Sequence, residues 1–219
     1  MIICNPLLNT SRLRNLKGII FDCDGVLFDS REVNVRFYNQ VRAYFELEPM
    51  SEDEEEFVHM HSVQDSLKHI LPEKFLSRLI EIREQVDYKE LIPFMRMEEG
   101  LHRVLEFLRQ KRIMMAINTN RTTTMGLLLQ RFDLDDYFWP VVTAAKVSRP
   151  KPHPESIFKI LDLWSVQRNE VAFIGDSRVD QETAMASGVP FWAYKNEYLH
   201  GEMYIPDFMT LKEFLAGNI

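Results

Sequence analysis

The stretch Phe21–Ser30, which reads FDCDGVLFDS, decides how this sequence folds. The apolar run Gly18–Phe21 leads into two aspartates, Asp22 and Asp24, which are followed by Gly25. Two neighbouring carboxylates repel each other and lose solvation when they are buried, so something must offset that cost. The pattern predicts a buried strand that ends at a charged site.

The composition is that of an ordinary globular protein. Of 219 residues, 46% are hydrophobic and 27% are charged, and the formal net charge is −7. No basic stripe offsets this acidic balance, which argues against general nucleic-acid binding. The two cysteines, Cys4 and Cys23, do not make a disulfide framework. Residues 1–15 lack the apolar core of a signal peptide, and no apolar run approaches the roughly eighteen residues that span a bilayer. We therefore expect a soluble cytoplasmic protein.

Short apolar runs alternate with longer segments of helical periodicity, which is typical of a parallel sheet wrapped by helices. After Gly18–Phe21, the predicted strands are Arg112–Asn118, Pro140–Thr143, Glu170–Gly175 and Val189–Ala193. The helices predicted around them are Leu101–Gln110, Thr122–Arg131, Pro154–Leu161, Arg178–Ala186 and Leu211–Ala216. The predicted fold class is therefore α/β, with a doubly wound parallel sheet.

The connection between the first two predicted strands, residues 22–111, is about ninety residues long, far more than one crossover helix requires. Residues 30–95 read as several helices, and Ser51 with Glu54 three residues later predicts a capping box. We interpret this segment as a small helical cap inserted after the first strand. The predicted domains are a core of residues 1–29 and 96–219 and a cap of residues 30–95.

Further reactive side chains follow the other predicted strands. Thr119 and Asn120 follow the second strand, Asp176 and Asp180 follow the fourth, and Lys151 lies between two prolines in the intervening loop. The carboxyl ends of parallel strands share one edge of the sheet, and ligands bind at that edge in open α/β folds. We therefore expect these acids, the hydroxyl and the lysine to converge on the paired aspartates.

These four segments resemble the motifs of the haloacid dehalogenase-like hydrolase superfamily. FDCDGVLFDS is similar to its first motif, INTN to the second, RPKPHPE to the third and GDSRVDQETAMASG to the fourth. The resemblance covers nearly the whole chain and is closest to the phosphoglycolate phosphatase-like branch, which carries a helical cap. It implies a Rossmann-like core and a phosphatase that acts on a small phosphorylated metabolite.

The resemblance also implies a role for each motif residue. Asp22 would attack phosphorus and form an aspartyl-phosphate. Asp24 would protonate the leaving alcohol and then act as the base that activates water. Lys151 would place a positive charge beside the nucleophile and the transferring group. Thr119 and Asn120, with the backbone amides that begin the next helix, would hold the phosphoryl oxygens.

A divalent cation is implied as well, because a carboxylate that attacks a phosphate monoester brings anions together. Hard oxygen ligands suit Mg²⁺, and the implied ligands are the carboxylates of Asp22 and Asp176 and the backbone carbonyl of Asp24. Asp180 would lie outside these ligands and hold metal-bound waters or Lys151 in place.

Two other function classes stay open. A sugar phosphomutase of the β-phosphoglucomutase type shares the second acid and the cap, and its product distinguishes it from a phosphatase. A non-catalytic phosphate-binding module would normally have lost an acid or the lysine, and all of them are present here. The expected partner is a small phosphorylated metabolite, with no nucleic acid and no membrane, and the expected state is a monomer or a homodimer.

Three further residues lie near the motifs and are not included in the predicted site. Cys23 is expected to be a buried side chain that points away from the site, since alternate residues of a strand face opposite ways. Arg121 and Arg149 are candidates for phosphate contacts, but surface arginines are common and neither is included in the predicted site.

Overall fold

The computed structural model describes residues 3–4, 10–60, 63–78 and 88–219. The chain divides into two compact units, one made of Met1–Phe28 with Met97–Ile219 and the other of Asp29–Arg96. No helix within the described residues is long and apolar enough to cross a membrane.

The first unit is built on a seven-stranded sheet in the order β1-β9-β8-β7-β2-β5-β6. Strands β3 and β4 form a separate two-stranded sheet. The strands are β1 (Ile3–Cys4), β2 (Gly18–Phe21), β3 (Phe28–Asp29), β4 (Arg96–Met97), β5 (Met114–Thr119), β6 (Val141–Thr143), β7 (Val171–Gly175), β8 (Phe191–Tyr194) and β9 (Met203–Ile205).

Six strands of the large sheet run parallel, and β1 is antiparallel to β9. Strand β2 lies between β5 and β7, with Phe21 opposite Ile117 on one side and Ile174 on the other. The segments that follow these three strands therefore leave the sheet side by side at its carboxyl edge. This register places the first, second and fourth motif segments next to one another.

Helices cover both faces of the sheet, which confirms the predicted doubly wound α/β fold. The α-helices within the described residues are α1 (Arg31–Tyr44), α2 (Glu52–Met60), α3 (Val63–Ile70), α4 (Leu101–Gln110), α5 (Met125–Arg131), α6 (Glu155–Trp164), α7 (Arg178–Ser187) and α8 (Phe208–Ala216). The 3-10 helices are Thr10–Asn15, Glu73–Arg78, Tyr88–Glu90, Ile92–Phe94, Ala144–Lys146 and Arg168–Glu170.

Consecutive residues of β2 show how the two faces are filled. Ile20 belongs to a buried cluster with Ile157 of α6 and Ala184 of α7, whereas the ring of Phe21 lies 6.4 Å from that of Phe208 in α8. All four residues of β2 are buried because neighbouring side chains of a strand point to opposite faces and both faces are covered. The near-continuous apolar run that predicted this strand has the same cause.

The second unit has its own core, formed by one face of α1 and the segments that follow it. Its buried residues are Tyr38, Val41, Phe45, Met50, Val58, Leu67, Ile70 and Leu71. The capping box at the start of α2 is confirmed, since the Ser51 amide donates to Glu54 at 2.8 Å and the Glu54 amide donates to the Ser51 hydroxyl at 3.3 Å. Residues 61–62 and 79–87 of the predicted insertion lie outside the described residues.

Several element boundaries differ from the sequence prediction. The second predicted strand begins at Met114 rather than Arg112, because Arg112 lies in a turn with φ of 58°. Helix α5 begins at Met125 rather than Thr122, and α8 begins at Phe208 rather than Leu211 because Asp207 caps it. Strands β1 and β9 were not predicted, since two or three residues carry no measurable periodicity.

Candidate active site

Lys151 connects two of the motif acids at the carboxyl edge of the sheet. Its ammonium lies 2.7 Å from Oδ1 of Asp22 and 2.6 Å from Oδ1 of Asp180, and all three side chains are buried. Asp22 follows β2 directly, and its amide donates to the carbonyl of Ile174 in β7 at 2.9 Å. The ladder between two central strands thus fixes the backbone of the predicted nucleophile.

A cluster of three carboxylates surrounds this ammonium. Asp22, Asp176 and Asp180 each offer one oxygen, and these oxygens lie within 4.8 Å of one another. Carboxylate oxygens are among the ligands that Mg²⁺ takes in proteins. When ionised, the three acids carry more negative charge than Lys151 balances, so the residues present fit a divalent cation.

The pKa values of the cluster also favour binding of a cation. Burial, together with the charge of Asp180, raises the pKa of Asp22 to about 7, although Lys151 acts in the opposite direction. Burial and the charges of Asp180 and Asp22 also raise the pKa of Asp176 well above its usual range. Burial lowers the pKa of Lys151, but Asp180 and Asp22 outweigh burial and raise it overall. The lysine therefore stays charged at neutral pH.

Asp180 differs from the other two acids because both of its oxygens already have donors. Oδ1 accepts from Lys151, and Oδ2 accepts from the amide of Ser177 at 3.2 Å and from its hydroxyl at 2.6 Å. The Ser177 hydroxyl in turn caps α7 by accepting from the Asp180 amide at 3.2 Å. These contacts suit a residue that orients Lys151 more than one that binds a cation directly.

Gly25 lets the chain pass close to Asp176. Its φ is 73°, and a Cβ built on it would lie 1.9 Å from Oδ2 of Asp176. The positive φ favours glycine and the close approach allows no side chain, so both requirements act at one position. The glycine that follows the paired aspartates is therefore part of the predicted metal site.

Gly25→Ala is expected to weaken Mg²⁺ binding by about 10- to 100-fold, the cost of disturbing groups that orient a metal ligand. The added methyl group would displace the Asp176 carboxylate or bend the backbone away from it. Isothermal titration of the folded protein with Mg²⁺ measures the change. Gly126→Ala is the matched control, since a Cβ there meets nothing within 4 Å. Equal Mg²⁺ affinity in Gly25→Ala and in the native chain would contradict this account of Gly25.

Asn120 holds the loop that carries Lys151. Its amide nitrogen donates to the carbonyl of Lys151 at 3.1 Å, and its amide oxygen accepts from the Lys151 amide at 3.1 Å. The contact of Asn120 with phosphate stays a prediction, and the two hydrogen bonds to Lys151 give the side chain a second role. Thr119, also predicted to bind phosphate, is buried at the end of β5, and its hydroxyl accepts from the Arg121 amide at 3.1 Å.

Asp24 is paired with an arginine that the sequence left outside the predicted site. Arg121 Nε donates to Oδ2 of Asp24 at 2.7 Å, and Nη2 donates to Oδ1 at 2.5 Å. Arg121 directly follows the second motif, and this adjacency was its only sequence signal.

Asn196 is a second residue that the sequence analysis missed. It follows β8, and its amide donates to the carbonyl of Asp176 at 2.8 Å. No sequence signal pointed to Asn196.

Cys23 is fully buried, as expected. Burial and the negative charge of Asp24 raise the pKa of its thiol well above the usual range. A reactive cysteine needs a stabilised thiolate, and this environment disfavours one. Cys23 therefore fits a structural role in the strand end.

A family model described as haloacid dehalogenase-like hydrolase matches residues 19–194. That range is most of the chain and contains all four motif segments.

Two relatives and one solved structure are similar along most of the chain. A phosphorylated carbohydrates phosphatase from Thermotoga maritima is 29% identical over 188 residues, which are 80% of this chain and 82% of that protein. A pyrophosphatase PpaX from Anoxybacillus flavithermus is 27% identical over 206 residues, which are 90% of this chain and 94% of that protein. The crystal structure of a HAD-superfamily hydrolase of subfamily IA, variant 1, from Geobacter sulfurreducens has a TM-score of 0.79 and 36% identity, and it covers 92% of this chain and 97% of its own.

Proposed function

Because the chain belongs to the haloacid dehalogenase-like hydrolase family and is a phosphatase, we propose that it hydrolyses a small phosphate monoester through an aspartyl-phosphate on Asp22. The observation that carries the proposal is the buried ammonium of Lys151, held 2.7 Å from Asp22 and 2.6 Å from Asp180. A carboxylate can attack an anionic phosphate only where positive charge offsets their repulsion. Lys151 supplies that charge at a fixed position.

The first half of the reaction transfers the phosphoryl group to the protein. An oxygen of Asp22 attacks phosphorus, the bond to the leaving alcohol breaks, and Asp24 gives the alcohol its proton. Thr119 and Asn120 would bind the phosphoryl oxygens. In the second half, Asp24 takes a proton from water and the water oxygen attacks phosphorus. The bond between phosphorus and Asp22 breaks, which releases inorganic phosphate and restores the Asp22 carboxylate.

Mg²⁺ would be held by the carboxylates of Asp22 and Asp176 and by the backbone carbonyl of Asp24, and when bound it supplies positive charge that offsets the charge of the phosphate. Asp180 keeps the Lys151 ammonium directed at Asp22. Asn120 fixes the backbone that carries this lysine.

The substrate proposed is a small phosphorylated metabolite of the phosphoglycolate type, as the resemblance in the motifs implies. The names of the two relatives add phosphorylated carbohydrates and pyrophosphate to the compounds worth testing. Residues 30–95 are proposed to form the cap that the resemblance implies. A cytoplasmic location and a monomeric or homodimeric state complete the proposal.

A panel of phosphate esters together with pyrophosphate, assayed for phosphate release with Mg²⁺, tests this function. We expect 2-phosphoglycolate, sugar phosphates and pyrophosphate to differ in kcat/KM, and we expect chelation by EDTA to abolish release. A sugar phosphomutase would instead return the phosphoryl group to the sugar, so products are also analysed for isomerised sugar phosphate. Isomer formation without phosphate release would contradict the hydrolase, and activity that persists in EDTA would contradict the Mg²⁺ site.

A further inference from the structure

Arg121 and Asp24 form a two-point contact within the first unit. Nε of Arg121 donates to Oδ2 at 2.7 Å and Nη2 donates to Oδ1 at 2.5 Å, so both carboxylate oxygens accept from one rigid guanidinium. Only 9% of the Arg121 side chain is exposed, compared with 35% of Asp24. A bidentate contact fixes the plane of a carboxylate as well as its position, which a single hydrogen bond does not.

Contacts along the same loop hold Arg121 itself. Its amide donates to the hydroxyl of Thr119 at 3.1 Å, and its carbonyl accepts from the amide of Ala144 at 3.0 Å. Its Nη1 also donates to the hydroxyl of Thr124 at 3.2 Å. The guanidinium is therefore anchored to Thr124 just before α5, and the Arg121 backbone is held by Thr119 and by the segment after β6. A flexible surface arginine that happens to lie near an acid would lack these anchors.

We propose that Arg121 is a positioning residue that fixes the carboxylate of Asp24 for its proton transfers, an inference that rests on the proposed function. The bidentate contact uses one acceptor direction of each carboxylate oxygen, and each oxygen has a second. In the second half-reaction one water proton passes to Asp24 and the water oxygen bonds to phosphorus. The bond between phosphorus and Asp22 breaks, and its electron pair returns to the Asp22 carboxylate. A carboxylate that rotated freely would seldom meet this water in the reactive orientation.

The test isolates the step in which Asp24 acts as a base. With Mg²⁺ and p-nitrophenyl phosphate, the leaving phenolate needs little protonation, so phosphorylation of Asp22 depends weakly on Asp24. Acid quenching followed by intact-protein mass spectrometry then measures how much phosphoenzyme is present and how fast it decays. We expect Arg121→Gln to phosphorylate at a near-native rate and to lose its phosphoryl group about 100-fold more slowly, the cost of a misplacement of about 1 Å.

Four further variants separate positioning from simple stabilisation. Asp24→Asn should trap the phosphoenzyme, and Arg121→Gln added to it should cause no further slowing, because Arg121 acts through Asp24. Arg121→Lys should recover part of the decay rate and not all of it, since an ammonium keeps the charge and loses the two-point contact. Arg131→Gln, at an exposed arginine of α5, is the control and should decay at the native rate. Arg121→Lys also serves as the test if Arg121→Gln does not fold.

Failure of the inference differs from failure of the proposed function. If Asp24→Asn accumulates phosphoenzyme and Arg121→Gln decays at the native rate, Arg121 does not position Asp24. Equal slowing by Arg121→Gln in the native and Asp24→Asn backgrounds would also overturn the inference, because the two residues would then act independently. If neither the native chain nor Asp24→Asn forms a phosphoenzyme, the covalent mechanism itself is wrong.

Discussion

Asp22→Asn is expected to lower the rate of phosphate release by at least about 10⁴-fold, a loss of the order seen when a covalent nucleophile is removed. Asparagine matches aspartate in shape and can still accept from Lys151 through its amide oxygen. It cannot form the aspartyl-phosphate, because the amide lacks a nucleophilic oxygen at neutral pH. Asp136→Asn, at an exposed aspartate after α5, is the matched control and should keep native turnover.

The same substitution should leave the metal-free protein at least as stable as the native chain above neutral pH. Burial and Asp180 raise the pKa of Asp22 from 3.8 to about 7, so the folded protein holds this proton more tightly than the unfolded chain does. The stabilisation from that proton is fully present below the unfolded value and is lost as the pH rises through about 7. The amide side chain of the variant does not titrate and carries no such dependence.

Urea unfolding in EDTA at several pH values measures this difference. We expect the free energy of unfolding of the native chain to fall between about pH 4 and pH 7 more steeply than that of Asp22→Asn. A variant that is less stable than the native chain at pH 8 in EDTA would show that the charge of Asp22 is not costly to bury. Near-native turnover in a folded Asp22→Asn would instead exclude the covalent step.

The sequence predicted the central strands and the convergence of the motif acids for one physical reason. Parallel strands covered on both faces are almost entirely apolar, so Gly18–Phe21 stands out as a run, and the acids that end such runs share one edge of the sheet. Lys151 was predicted there as well, and the structure places its ammonium between Asp22 and Asp180. Convergence of this kind depends on the order of the strands in the sheet. Short connections and the right-handedness of parallel crossovers restrict the possible orders.

The contacts that the sequence did not predict depend on loop paths. Arg121 reaches Asp24 because the chain turns before α5, which starts three residues later than its pattern indicates. Asn120 contacts the Lys151 backbone across 31 positions of sequence, and no local pattern encodes such a pair. The short strand β9 (Met203–Ile205) was missed for a similar reason, because its place beside β8 comes from tertiary pairing rather than from periodicity.

Lys151→Met is expected to lower the free energy of unfolding of the metal-free protein by about 3–5 kcal/mol, the cost of removing one partner from a buried ion pair. Methionine is unbranched and similar in length to lysine, so little of the loss comes from a cavity. The loss comes from Asp22 and Asp180, which lie beside the same ammonium and would face each other without it. Lys159→Met is the control, because this exposed lysine contacts one surface carbonyl, and its change should stay within about 0.5 kcal/mol.

Urea unfolding in EDTA separates this electrostatic cost from packing. Burial and Asp180 raise the pKa of Asp22 to about 7, so lowering the pH from 8 to 5 protonates Asp22 and should shrink the difference in stability between Lys151→Met and the native chain. The native lysine contributes no pH dependence in this range, because its pKa is raised above its usual value of 10.5 and it stays charged. A difference that is constant with pH would assign the loss to packing.

The double variant Asp22→Asn/Lys151→Met tests whether Lys151 stabilises the fold by balancing the charge of Asp22. Removing Asp22 leaves Asp180 alone with its Ser177 donors, so the double variant should be more stable than Lys151→Met in EDTA. If the changes in the free energy of unfolding of the two single variants simply add in the double variant, Asp22 and Lys151 do not stabilise each other, despite the 2.7 Å contact. Phosphate release should be lost in both variants, since the double variant lacks the nucleophile and the single variant lacks the charge beside it. The buried ammonium thus links the stability of the carboxyl edge to its chemistry, and the two readouts should fall together when Lys151 is replaced.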